Sequence, residues 1–232
     1  MISQILAHFQ IQKKTIQYFI AFSLIFFGSY SIINHNEKII DLSFNFISEA
    51  KAQEINTQKT QAEKIMVIKK AAKGFFTYLR FADTPYNTNQ LSFKDLHGTD
   101  HILAEFNGKP MLINLWATWC APCRAEMPEL AQLKRDMGEE NFDVMAINVD
   151  KAASPEKIQD FLQKVHADNL VYYRDKTMNI FRDIRKQGLA VGLPVTLLID
   201  KNGDLIASFN GAAPWNNDDA KALIKTVIKE TQ

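Results

Sequence analysis

Met111-Leu112-Ile113-Asn114-Leu115-Trp116 runs into Ala117-Thr118-Trp119-Cys120-Ala121-Pro122-Cys123, and this junction organises the chain. The first six residues are an apolar run of strand length. The stretch that follows holds the only two cysteines among 232 residues. A helix is expected from Ala121, with Met127, Leu130, Leu133 and Met137 at helical spacing. Cys120 then falls at a helix N-terminus, where unpaired N–H groups and the positive end of the dipole stabilise a thiolate. Pro122 suits the first turn, where its missing N–H costs nothing. Cys123, three residues on, can reach back to Cys120. A disulfide there closes too short a loop to restrict the unfolded chain much. Its use is to open and close, storing and releasing two electrons. Cys120 is read as the attacking thiol and Cys123 as the resolving one. Arg124 either adds positive charge beside them or is a solvated surface residue.

Working outward, the pattern stays α/β. Leu91-Ser92-Phe93 and His101-Ile102-Leu103 flank His97-Gly98 as a short hairpin. Phe142 to Val149 is almost continuously apolar, as a strand buried on both faces should be. Ser154-Pro155 is an N-cap followed by proline at the first helical position, and Ile158, Phe161, Leu162 and Val165 repeat at helical spacing. Leu170 to Tyr173 is expected as a short strand, and Ile180, Phe181 and Ile184 as one face of a helix. Val195–Asp200 and Leu205–Phe209 flank Asn202-Gly203, a strong hairpin signal. A helix from Asp218 to Ile228 closes the chain. These elements predict one α/β domain with a central mixed sheet flanked by helices.

Toward the N-terminus the character changes. Between Lys14 and Glu37 there is no Asp, Glu, Lys or Arg, close to the ~20 residues needed to cross a bilayer. Lys13 and Lys14 precede the run, while Glu37 and Asp41 follow it. The positive-inside rule therefore assigns residues 1–14 to the cytoplasm, 15–36 to a transmembrane anchor and everything later to the exported side. A cleaved signal peptide is the alternative, but Gly28-Ser29-Tyr30-Ser31-Ile32 is a poor cleavage site and Ala50-Lys51-Ala52 lies too far downstream. Residues 37–61 are polar and mixed in charge and read as a tether.

The domain itself is expected over 62–232, including an N-terminal helical extension. That extension has Ile65, Met66, Ile68, Ala72, Phe75, Phe76 and Leu79 as candidate apolar positions among Lys64, Lys69, Lys70 and Lys73. It is read as packing on the domain or continuing the tether. The other reading is a basic amphipathic segment on the membrane surface, which the spread of charge around the wheel disfavours. Overall charge is nearly balanced, 27 Lys+Arg against 26 Asp+Glu, without a basic stripe carrying aromatics. No nucleic-acid partner is expected.

Trp116 to Pro128, with Cys120-Ala121-Pro122-Cys123-Arg124-Ala125-Glu126-Met127 inside it, resembles the active site of the membrane-anchored thioredoxin-like reductases of the TlpA/ResA group. The resemblance continues through Gly192-Leu193-Pro194-Val195 to Asn202-Gly203, and on to Gly211-Ala212-Ala213-Pro214-Trp215. It implies a thioredoxin-like fold and a protein-disulfide reductase anchored in the bacterial inner membrane, with its catalytic domain in the periplasm and no cofactor. Pro194 matches the cis-proline that faces the disulfide in that fold, leaving the backbone of Leu193 to pair with a client strand. Trp119, Ala121 and Pro122 fall on the same client-binding surface. Pro128 matches the proline that kinks the active-site helix. Glu126 matches a carboxylate placed near the cysteine pair, able to take or give the resolving thiol's proton; a glutamate early in a helix also complements the dipole. Thioredoxin's buried Asp is replaced by Asn114, which puts the proton-transfer role on Glu126.

No histidine stands between the cysteines to stabilise a thiolate strongly, so a reductant is expected. The periplasm is kept oxidising, and only thiols that must stay reduced need a dedicated donor there. The resemblance, nearest to the group's TlpA branch, implies clients in cytochrome oxidase copper-centre assembly and a membrane electron donor of the DsbD/CcdA type. The cytochrome c maturation branch usually carries an acidic residue where this chain has Val195, which tilts the reading to copper. That branch, a periplasmic disulfide oxidase and a non-redox metal module are the rivals. A half zinc site would need two more ligands, and His97 and His101 sit in a hairpin that does not suggest them. No metal ligand is assigned. His166 is read as a solvated residue at a helix end. A copper chaperone of the same fold would need a longer cysteine spacing and a distal histidine.

Overall fold

Met111–Trp116, buried at every position, forms β4 at the centre of an eight-stranded sheet. The computed structural model describes residues 61–138 and 140–231, which fall within the compact unit Thr60–Gln232. The strands are β1 (Arg80–Phe81), β2 (Ser92–Lys94), β3 (Asp100–Ile102), β4, β5 (Asp143–Asn148), β6 (Tyr173–Arg174), β7 (Val195–Ile199) and β8 (Leu205–Asn210). The helices are α1 over residues 61–71, α2 (Ala121–Met137), α3 (Pro155–Lys164), α4 (Asn179–Lys186) and α5 (Asp218–Thr231). The sheet runs β1-β8-β7-β4-β5-β6-β2-β3.

Parallel neighbours need a long crossover, and the helices supply it. α2 links β4 to its parallel neighbour β5, and α3 links β5 to the parallel β6. The β7–β8 hairpin then returns antiparallel to β4, its turn closed by Gly203 at φ +82 and by Asp200 Oδ1 accepting from the N–H groups of Asn202 and Asp204. The sheet is therefore mixed, as the alternation of elements predicts. β4, β7 and nearly all of β5 and β8 are buried on both faces. Their continuous apolar runs follow from that double burial. Ser154 caps α3 as expected, its hydroxyl accepting from Lys157 N–H at 3.3 Å. His166 follows the C-terminal end of α3, at φ 55.

Two expectations need correction. The strand expected over Leu170–Tyr173 begins only at Tyr173. The preceding residues close a turn, with Ala167 N–H bonded to Leu162 O and Leu170 N–H to Ala167 O, so pairing with β5 is limited to Ile147↔Tyr173 and Asn148↔Arg174. The helical pattern from Ala62 also does not run unbroken to Leu79. α1 stops at residue 71, Lys73 is extended, and Gly74 takes φ +53 before a 3-10 turn over Gly74–Tyr78. Glycine alone takes that conformation at no steric cost, and a side chain there would strike the Asp219 carboxylate of α5. The break resets which residues point inward: Ile68, Ala72, Phe76 and Leu79 join the core, whereas Met66 and Phe75 are exposed.

No helix among the described residues is long and apolar enough to cross a membrane. The expected anchor over 15–36 and nearly all of the expected tether over 37–61 lie outside the described residues.

Candidate active site

β4 delivers the chain to the cysteines at its carboxyl end, where open α/β sheets place their ligands. The loop between Trp116 and Cys120 is held from both sides. Cys120 N–H bonds back to Ala117 O at 3.1 Å, and Thr118 N–H donates to Asp150 Oδ2 at 2.7 Å. Asp150 is buried just past β5 and also accepts from Asn148 Nδ2 at 3.0 Å. The buried Arg174 guanidinium bonds the backbone carbonyls of Asp150 and Ala153 and so fastens the same corner.

Cys120 is the N-cap of α2 and Cys123 lies in its first turn. They form a disulfide with Cα atoms 5.3 Å apart. Cys120 Sγ accepts the Cys123 backbone N–H at 3.3 Å, one of the otherwise orphaned donors of the helix start. Cys120 retains 5% exposure and Cys123 none. An incoming thiol or disulfide therefore meets Cys120 first. Trp119 is 66% exposed beside it, and Ala121 and Pro122 are exposed as well. Arg124 is exposed, with its guanidinium 5.5 Å from the Phe161 ring centroid. Pro128 lies inside α2.

The β4–β7 register pairs Leu115 with Val195. One residue further, that register brings Pro194 level with Trp116, where the cysteine loop leaves the sheet. Pro194 is buried, Leu193 is half-buried, and the peptide bond between them is cis.

Glu126 is buried one helical turn beyond Cys123. Its Oε1 accepts from Asn114 Nδ2 at 2.9 Å, and its Oε2 accepts from Ala213 N–H and Trp215 Nε1, each at 3.2 Å. Asn114 reaches Thr196 Oγ1 as well, at 2.9 Å, because these two residues are cross-strand partners in β4 and β7. Burial drives the Glu126 carboxyl up from 4.5 to about 7, and the three donors oppose that shift without cancelling it. Near neutral pH this carboxyl is present in both protonation states.

Two partners of this carboxyl, Ala213 and Trp215, and Thr196 behind Asn114 carry no role in the sequence reading. Trp215 and Ala213 belong to the Gly211–Trp215 stretch, and Thr196 follows Pro194-Val195, but contacts made across 80 or more residues leave no local signal. Trp215 is locked in turn by Phe76 and Phe209, whose ring centroids lie 5.1 and 5.9 Å from its own.

The histidines of the hairpin stay apart from the cysteines. His101 engages Glu105 through Nδ1 and Asp95 through Nε2. A cavity of about 510 Å³ adjoins that hairpin and includes neither cysteine. The redox pair instead opens onto the outer surface around Trp119.

A family model described as Redoxin matches residues 81–224. The thiol-disulfide oxidoreductase ResA of Geobacillus thermodenitrificans is 28% identical over 136 residues, 57% of this chain and 71% of that protein. ResA of Bacillus thuringiensis subsp. konkukian is 29% identical over 139 residues, 60% of this chain and 76% of that protein. The crystal structure of a thiol:disulfide interchange protein of the thioredoxin family from Chlorobium tepidum matches with a TM-score of 0.52 at 21% identity. That match covers 63% of this chain and 99% of the other, and it shows the thioredoxin-like fold. With a Cys-x-x-Cys disulfide at the head of α2 on that fold, the chain belongs to the Redoxin family, as a thiol-disulfide oxidoreductase of the TlpA/ResA type.

Proposed function

We propose that this protein is a reductant of exported client disulfides, anchored by residues 15–36 in the bacterial inner membrane with its domain from residue 62 in the periplasm. The observation that carries the reading is the asymmetry of the pair. Cys120 is reachable at the helix cap, while Cys123 is sealed beneath it, one turn before a carboxyl poised near neutrality.

The reaction follows from that arrangement. The Cys120 thiolate attacks one sulfur of the client disulfide, forming a mixed disulfide and releasing the client's other sulfur as a thiolate. The Glu126 carboxylate takes the proton of the Cys123 thiol. Cys123 then attacks Cys120 Sγ, closing the Cys120–Cys123 disulfide and expelling the client as a dithiol. Two electrons have passed to the client, and a membrane donor of the DsbD/CcdA type returns them. Trp119, Ala121 and Pro122 present the client face, with Leu193 and Pro194 beside them.

Clients in cytochrome oxidase copper-centre assembly suit this chemistry, since copper-binding thiols must stay reduced in an oxidising compartment. The resemblance to the TlpA branch and the apolar Val195 support that choice over cytochrome c maturation.

Trapping tests the reading. Cys123→Ser in cells should accumulate a mixed disulfide through Cys120 with a copper-site assembly protein. Accumulation in Cys120→Ser instead would reverse the roles of the two cysteines. Capture of apocytochromes alone would move the client class to haem attachment.

A further inference from the structure

The two oxygens of Glu126 keep different company. Oε2 accepts from the Ala213 backbone N–H and the Trp215 indole N–H, two groups that can donate but never accept. A proton on Oε2 would point at one of these hydrogens, so Oε2 stays bare whether the carboxyl is ionised or neutral. The proton belongs on Oε1. Among the described residues the one partner of Oε1 is Asn114 Nδ2, which also donates to Thr196 Oγ1. A carboxamide offers a donor at one end and an acceptor at the other. The acceptor end, Asn114 Oδ1, is buried without a partner. Turning this amide over therefore breaks no bond outside the Asn114–Glu126–Thr196 cluster.

We propose that Asn114 is a positioning residue serving both states of the Glu126 carboxyl. Nδ2 donates to Oε1 when it is bare, and after a half-turn Oδ1 accepts from Oε1–H. Trp215 is the second positioning residue, confining the proton to Oε1. The proton that arrives at Oε1 comes from the Cys123 thiol and leaves to a thiolate or to water. Among the described residues the groups bonded to the carboxyl are uncharged: Asn114 from β4, itself bonded to Thr196 of β7, and Ala213 and Trp215 from the loop before α5. Cys120 and Cys123 open its own helix. Glu129, the next carboxylate on α2, accepts instead from the Asn216 N–H at 3.3 Å. The inference rests on Glu126 being the proton carrier, and the experiment separates the two.

The full-length oxidised protein, carrying 13C-labelled glutamate carboxyls, is titrated by NMR, with the Glu126 signal identified by its loss in Glu126→Gln. Asn114→Leu and Trp215→Phe each remove one donor to the anion, so the Glu126 midpoint should rise, by about one pH unit for Asn114→Leu and less for Trp215→Phe. In the unmutated protein the Asn114 side-chain amide hydrogens should contact Thr196 above the midpoint and lose that contact below it. Unmoved midpoints in the variants would overturn the positioning role, and a contact that persists across the titration would overturn the half-turn. Should Asn114→Leu fail to fold, Trp215→Phe and the amide contact still decide. The pH profile of insulin disulfide reduction tests the underlying reading separately. If Glu126→Gln leaves that profile unchanged, Glu126 is not the proton carrier, whatever Asn114 does.

Discussion

Near the centre of the sheet the Glu126 carboxyl is buried among neutral donors; at its edge, on the β2–β3 hairpin, the His101 ring is held between two carboxylates. His101 Nδ1 lies 2.7 Å from Glu105 Oε2 and Nε2 lies 3.5 Å from Asp95 Oδ2, with Phe93 stacked at 6.1 Å. Both groups are shifted upward. For Glu126 the leading cause is burial, which favours the uncharged acid. For His101 it is the hydrogen bond to Glu105, which favours the charged imidazolium. The same direction of shift thus favours the uncharged form of one group and the charged form of the other. The first arrangement suits the proton transfer proposed for Glu126; the second ties a hairpin ring to its acidic neighbours.

The contrast can be broken most forcefully at Glu126. Glu126→Gln keeps the shape but holds no transferable proton, so disulfide reduction at pH 7 should fall by about 100-fold and lose its pH dependence through neutrality, measured with insulin as client. A variant with the parent's profile would place the proton chemistry elsewhere.

Stability should respond in the opposite sense. The unfolded carboxyl titrates near 4.5 and the folded one near 7. Below 4.5 both states are protonated and nothing is lost. As pH rises from 4.5 to about 7 the unfolded chain ionises first, and stability falls by about 3 kcal/mol in all, staying lower above that window. Glu126→Gln removes this slope, so urea unfolding at pH 8 should find the variant more stable than the parent, with a much smaller difference at pH 5.

The hairpin should show the same sign of pH dependence, on a smaller scale. The stabilisation from charged His101 is present in full below the unfolded histidine value and is lost as pH rises through the higher folded value. His101→Gln should leave the rate of disulfide reduction within about twofold of the parent. Its thermal midpoint should decline less steeply than the parent's above pH 6.5. Smallest of all is the nearby Lys94–Asp100 pair, 2.6 Å apart but with both side chains more than half exposed. Lys94→Ala should cost about 0.5 kcal/mol or less in urea unfolding. A larger loss would mean that the hairpin depends on its surface charges.

Much of the fold was legible because it is locally encoded. The six-residue apolar run, the cysteine cap, Ser154-Pro155 and Asn202-Gly203 each announce an element within a few residues. The two misreadings have a common origin in tertiary context. Leu170 is apolar because it closes a buried turn after α3, and Gly74 breaks a helical pattern by taking a positive φ where a side chain would meet the Asp219 carboxylate of a distant helix. The site divides the same way. Cys120 and Cys123 share one helix start and could be related by counting, and the resemblance added Glu126, Leu193 and Pro194. Thr196 meets Asn114 across 82 residues and Trp215 meets Glu126 across 89, contacts made by strand register and by a loop crossing α2. No periodicity carries that information.

The contact between Phe76 and Trp215 shifts where this protein's working unit begins. The family match starts at residue 81, and Phe76 lies before it. A fragment cut at the family boundary would keep both cysteines, Glu126 and all eight strands save Arg80 of β1. It would also discard Ile68, Ala72, Phe76 and Leu79 from the core and strip one wall from the indole that holds Glu126 Oε2. The segment ahead of the family match is thus part of the folded unit. It is the outermost brace of the Glu126 carboxyl, and transplanting the family-matched part without it would carry over the sulfurs but not the setting of that carboxyl.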